Sequence, residues 1–208
     1  MDAAEQIKQW AKELKSVAQT GLTYGKDVFD KERYSQMHDL ATTMLSYISG
    51  MSEDEVIEKL PIESGYTTPK MAVRGVVMQN GKLLMVKEAA DGLWCLPGGW
   101  CDINLTPSEN IEKEIEEETG LKTKAVRLIA FFDQTKKNPS VTMQHIYTVY
   151  FLCEVLSGDL KGSIETKDVG FFAVDDIPPL SSERITQEQL TIALNAVTEQ
   201  NNQTVYFD

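Results

Sequence analysis

GGWCDINLTPSENIEKEIEEETGL, residues 98–121, carries the start and stop marks of a helix together with six glutamates. Thr106 suits an N-cap, Pro107 the first helical position, and Glu109 stands three residues after the cap, as a reciprocal capping box requires. Gly120 suits a left-handed stop at the other end. The spacing predicts a helix over 107–119 between a glycine turn and a strand.

The six glutamates are not equivalent. At about 100° per residue, Ile111 and Ile115 define the core side, Glu118 falls about 20° from Ile111 and Glu114 about 60° from it. Glu109, Glu112 and Glu116 are expected on the wet side. Glu114, Glu117 and Glu118 are thus neighbours at three and four residues, with two of them leaning inward. Like charges so spaced cost about 0.2–0.5 kcal/mol per pair, and partial burial adds to that. A shared cation removes the conflict, and oxygen donors without His or Cys suit magnesium or manganese rather than zinc. The plainer alternative is a solvated acidic face.

On the N-terminal side, Ile7, Trp10, Ala11, Leu14, Val17 and Ala18 predict an amphipathic helix stopped at Gly21. Tyr34 to Ile48 repeat the pattern after a cap at Asp30, and a Ser52–Glu55 box opens a third helix ended by Pro61. We expect a helical domain over 1–62, a linker over 63–69 and a mixed α/β domain over 70–208. In the last of these, Asn80-Gly81 joins two β-rich runs as a hairpin. Further strands are expected over 126–132, 141–156 and 169–174, and a closing helix after a Thr186–Gln189 box. So short a helical domain has little core of its own, which predicts packing on its neighbour or on a second copy as a homodimer.

The chain carries 32 acidic and 20 basic residues in 208, a net charge of −12. Polyanionic nucleic acid is therefore a poor partner, RNA ends excepted, and a nucleotide needs a bridging metal to approach. Three cysteines without CxxC spacing argue against disulfides and zinc knuckles. No leader or membrane span is apparent, so a cytoplasmic protein is expected.

Gly99, Glu114, Ile115, Glu117, Glu118, Gly120 and Leu121 resemble the Nudix box, G-x5-E-x7-R-E-U-x-E-E-x-G-U with U aliphatic, at seven of its nine fixed positions. Leu105 and Lys113 depart from it, standing where the pattern has Glu and Arg. TGLTYGKDVFDKERY at 20–34 resembles the helical extension of a bacterial Nudix subgroup. The likeness is nearest to CDP-choline pyrophosphatases. The resemblance implies an α/β/α sandwich and hydrolysis of a nucleoside diphosphate linked to a group X, with CDP-choline giving CMP and phosphocholine. It also implies Glu114, Glu117, Glu118 and the Gly99 carbonyl as ligands of Mg2+ or Mn2+. Glu165, in the loop before the FFAV strand, becomes the general-base candidate, and Glu117 and Glu118 are catalytic in the same scheme.

Arg74, on the first strand, is a candidate for the substrate phosphates, with a surface salt bridge as its alternative. His145 is expected to be structural, and Trp94 and Trp100 to pack or to stack on a base. Two rival functions stand beside the CDP-choline reading: a pyrophosphatase for ADP-ribose, UDP-X or RNA ends, and a nucleotide-binding regulator without catalysis.

Overall fold

The computed structural model describes residues 3–137, 143–163, 166–198 and 204–208. Two compact units emerge: Met1–Pro69 with Pro139–His145, and Lys70–Asn138 with Ile146–Asp208.

The first unit holds α1 (Ala3–Tyr24), α2 (Val28–Ser49) and α3 (Glu53–Lys59). Gly21 does not stop α1, which runs three residues further. A Cβ at Gly21 would lie 2.4 Å from the Tyr34 ring, so this glycine serves the close approach of α1 and α2. The cap of α2 is Asp27 rather than Asp30; its carboxylate accepts from the Phe29 and Asp30 N–H groups. The Ser52–Glu55 box forms as expected. In the segment expected as a linker, the Glu63 N–H donates to Gln19 Oε1 (3.3 Å) and the Gly65 N–H to Thr23 Oγ1 (3.1 Å). Ala11, Leu45 and Val56 are fully buried, while Trp10, Val17 and Leu40 are half exposed or more, at 57%, 50% and 56%.

The second unit is built on β1 (Lys70–Gln79) and β2 (Lys82–Glu88), joined by Asn80 (φ 53°) and Gly81 (φ 73°), the paired positive φ of a type I′ turn. β3 (Trp94–Cys95), α4 (Pro107–Thr119), β4 (Lys122–Asp133), α5 (Gln134–Lys137), β5 (Ile146–Ser157), β6 (Thr166–Ala173), α6 (Gln187–Thr198) and β7 (Tyr206–Phe207) follow. The strand order is β3-β2-β1-β5-β4-β7, with β6 on β2, and β1 runs parallel to β5 in an otherwise largely antiparallel sheet. β4 starts before the expected Val126 and β6 before Val169; β5 starts at Ile146, residues 141 and 142 lying outside the described residues.

Helices cover both faces. On one, Ile111 and Ile115 of α4 pack on Val73, Val77, Val149 and Cys153. On the other, Leu190, Ala193 and Ala196 of α6 pack on Ile129, Phe132 and Tyr150. Each fully buried isoleucine contributes about 1.5–3 kcal/mol. α4 can sit close because Gly75 lies beneath it: a Cβ there would be 2.6 Å from Ile115 Cδ1. The fold is the mixed α/β architecture with a helical N-terminal unit that the pattern predicted.

Candidate active site

β1 pairs with β2 only beside their turn, at Met78–Leu83 and Gln79–Lys82. The rest of that edge is taken by the glycine segment. Gly75 N–H donates to Pro97 O (2.9 Å), Val73 N–H to Gly99 O (2.9 Å) and Cys101 N–H to Met71 O (3.0 Å). Gly98 has φ 138° and is pressed onto β1, where a Cβ would meet Val73 O at 2.1 Å; no other residue fits. Arg74, in β1, is buried and donates to Leu96 O (3.2 Å) and to Gly98 O. It is a brace for the turn, not the surface salt bridge held as its alternative.

α4 brings the acids. Thr106, Glu109 and Pro107 form the expected start, and Gly120 (φ 77°) the expected stop. Glu118 is buried and accepts the Gly98 N–H at 2.8 Å. Its backbone is fixed by Thr166 Oγ1, which donates to Glu118 O at 3.1 Å. Burial pushes its carboxyl up to about 7, with Glu114 and Glu88 adding and Arg74 and the Gly98 N–H opposing. Glu114 is half-buried, its Oε2 lying 2.6 Å from where a Gly99 Cβ would be. Glu117 is exposed and pairs with Lys113 Nζ at 2.7 Å. Lys113 also reaches Asp102 at 3.2 Å, so loop and helix stay tied although Leu105 and Lys113 replace the acid and guanidinium expected there. Asn110 adds a second tie, accepting the Asp102 N–H at 2.7 Å. Glu112 is not on the wet side: it accepts the Ala125 N–H (2.9 Å) and pairs with Lys124 (3.0 Å).

These groups line a cleft of about 440 Å3, within the range of small-molecule sites. Glu114, Glu118, Gly99 and Arg74 meet there; Glu117 does not line it. Among the described residues, no three His, Cys, Asp or Glu side chains are gathered as a metal would need. Glu165 lies outside the described residues. His145 precedes β5 rather than lying on it. Trp94 packs edge-on against Phe172 (4.6 Å), while Trp100 is half exposed and lines the cleft. Cys95 and Cys153 are buried and free, and burial raises both thiols, Cys153 to about 12. Residues the sequence did not single out are Glu88, which closes β2 and pairs with Arg184 at 3.4 Å, and Gln134.

The NUDIX domain model matches residues 68–193. The chain belongs to the Nudix family. A second model, described as "UDP-X-like, N-terminal oligomerisation domain", matches residues 5–60. A Bacillus subtilis (strain 168) protein named "Putative ADP-ribose pyrophosphatase YjhB" is 37% identical over 196 residues, 94% of either chain. A crystal structure of a UDP-X diphosphatase is 36% identical at TM-score 0.64 and covers 99% of both chains. An ADP-ribose pyrophosphatase structure from Streptococcus suis 89-1591 is 40% identical at TM-score 0.61, over 68% of this chain and all of its own. The protein is thus a Nudix pyrophosphohydrolase, and Nudix enzymes generally work with divalent cations such as Mg2+ or Mn2+. The donor types fit such an ion, although among the described residues the carboxylates are not gathered around one point. The cleft's lining residues include carboxylates but no His or Cys, and the five acids, Glu88, Asp102, Glu114, Glu118 and Glu183, outnumber Arg74 and Arg184. Among the described residues, no helix is long and apolar enough to cross a membrane.

Proposed function

We propose that the cleft hydrolyses the pyrophosphate bond of a nucleoside diphosphate linked to a group X. Water adds to one phosphorus, the bridging oxygen leaves with the other, and the products are a nucleoside monophosphate and phosphorylated X. The observation that carries this is the convergence of Glu114 and Glu118 on the Gly98–Gly99 turn inside one cleft, braced by Arg74. Support for the identity of X comes from the names of the relatives, ADP-ribose pyrophosphatase and UDP-X diphosphatase. These move ADP-ribose and UDP-X compounds ahead of the CDP-choline expected from the sequence.

Glu114 and Glu118 would hold Mg2+ or Mn2+, with a backbone carbonyl of the turn and with Glu117 once Lys113 releases it. The Gly99 carbonyl already accepts the Val73 N–H, which leaves its second lone pair for that role. When bound, such an ion neutralises phosphate oxygens and acidifies a water. Arg74 keeps fixed positive charge beneath the turn and is our choice for contact with a substrate phosphate. Glu165 remains our choice of general base.

A panel of ADP-ribose, UDP-glucose and CDP-choline with Mn2+, with and without chelator, tests the reading. Turnover should be lost with chelator and fall about 100- to 1,000-fold in Glu117→Gln. Product release that survives the chelator would falsify the site, and full turnover in Glu165→Gln removes that residue from its role.

The helical unit, in our reading, makes a homodimer. Trp10, Val17 and Leu40 expose apolar surface on it, and its matching family model is described as an oligomerisation domain. Sedimentation at micromolar concentration should give twice the 23.3 kDa chain mass; a monomer there contradicts the assignment.

A further inference from the structure

One polar side chain in the cleft has its orientation dictated from outside it. Gln189 belongs to the capping box of α6: its Oε1 accepts the Thr186 N–H at 2.9 Å and faces Thr186 Oγ1 at 3.2 Å. A backbone N–H can only donate, so the oxygen of Gln189 must point to Thr186 and its amide nitrogen must point away. That nitrogen donates to Gln134 Oε1 at 2.7 Å in a buried contact. That contact sets the sense of the Gln134 amide, with Oε1 facing Gln189 and Nε2 turned away from it. Gln134 lines the cleft at 6% exposure, and the end of its amide turned away from Gln189 is Nε2, which carries two N–H groups.

Gln134 stands far from the reacting turn. It follows Asp133, which pairs with Tyr147, whereas Arg74 pairs with Tyr150. At about 3.3 Å per residue this puts Gln134 about 13 Å further along the sheet, near the row of Ile146, and two strands across. A diphosphate held at Gly98 and Gly99 would reach that distance only through the group attached to it.

We infer that Gln134 is a specificity-determining donor, giving a hydrogen bond to an acceptor oxygen on one end group of the substrate, either a nucleobase carbonyl or a sugar hydroxyl of X. This rests on the diphosphate-X reading above. With its donor end turned away from Gln189, the site favours an end group that offers oxygen over one that offers N–H.

The test compares kcat/KM for ADP-ribose, UDP-ribose and UDP-glucose with Mn2+ in wild type, Gln134→Met and Gln189→Glu. The first two substrates differ only in the base and the last two only in X. Gln189→Glu keeps the capping box, since Thr-x-x-Glu is its usual form, but turns a second acceptor towards Gln134. The Gln134 amide then flips to donate to the introduced carboxylate and presents its oxygen to the cleft. Wild type should discriminate within one of the two pairs. Both variants should lower kcat/KM for the preferred member about ten-fold and leave the other within about two-fold. Selectivity lost in the base pair assigns the contact to the base; selectivity lost in the X pair assigns it to the sugar. An equal loss on all three substrates, no loss, or no discrimination by wild type overturns the inference while leaving the hydrolase reading intact. Wild type inactive on all three overturns both. Matching circular dichroism and thermal midpoints exclude misfolding as the cause.

Discussion

Glu118→Gln should make the chelator-treated protein more stable than wild type at pH 8 while ending its turnover. The carboxyl is raised from an ordinary value of 4.5 to about 7 because burial disfavours its charged form. The folded state therefore binds more protons than the unfolded chain between those values, and stability falls as pH rises through that window. Below about pH 4.5 the contribution of Glu118 is fully present; above about pH 7 it is lost. A shift of that size corresponds to about 3 kcal/mol, on the order of 10 °C in thermal midpoint. Glutamine accepts the Gly98 N–H without ever taking a charge, so the gap between variant and wild type should open from near zero at about pH 4 to its full size at about pH 8. Manganese should then reverse the order, stabilising wild type and leaving the variant unmoved, with turnover down about 100- to 1,000-fold. Two proteins whose midpoints track each other from pH 5 to pH 8 would refute the buried-carboxylate argument.

Gly98→Ala should be the most damaging single substitution in the catalytic unit. The added methyl would sit 2.1 Å from Val73 O and 2.9 Å from Val73 C, both backbone atoms of a strand flanked by β5, and φ 138° is itself strained for alanine. Strain alone is worth about 1–3 kcal/mol, and moving the turn also costs the contacts of Gly98 with Arg74 and Glu118. We expect a loss of more than about 3 kcal/mol in urea unfolding, together with lost turnover. Gly81→Ala is the control. It shares a positive φ, 73°, but nothing lies within 4 Å of its Cβ position, so only about 1–2 kcal/mol should go. Equal losses at the two positions would mean that contact with β1 is not what Gly98 supplies.

The catalytic helix was legible because its signals are local: cap, box, first-turn proline and stop all act within a few residues of one another. The helical wheel likewise separated buried Glu118 from exposed Glu116. It misplaced Glu112, whose partners Ala125 and Lys124 are supplied by β4, an element the wheel does not contain. Gly21 shows the same failing from the other side, since a stop and a close helix crossing demand the same residue and only the Tyr34 ring tells them apart. Arg74 could be marked as unusual but not as buried, because its partners are carbonyls more than 20 residues away. The pairs Glu88–Arg184 and Gln134–Gln189 join residues 96 and 55 positions apart and leave no periodic trace. Helical spacing and the family resemblance both group Glu117 with Glu114 and Glu118; neither could show that its carboxylate pairs with Lys113.

The glycine turn that lines the cleft occupies hydrogen-bonding positions on β1 that a neighbouring strand would otherwise fill. It is in effect a length of sheet rather than a lid, and it has no slack with which to follow a differently shaped substrate. A change of substrate shape is then more easily met by the other lining residues, Gln134 and Ile146 among them, than by the turn.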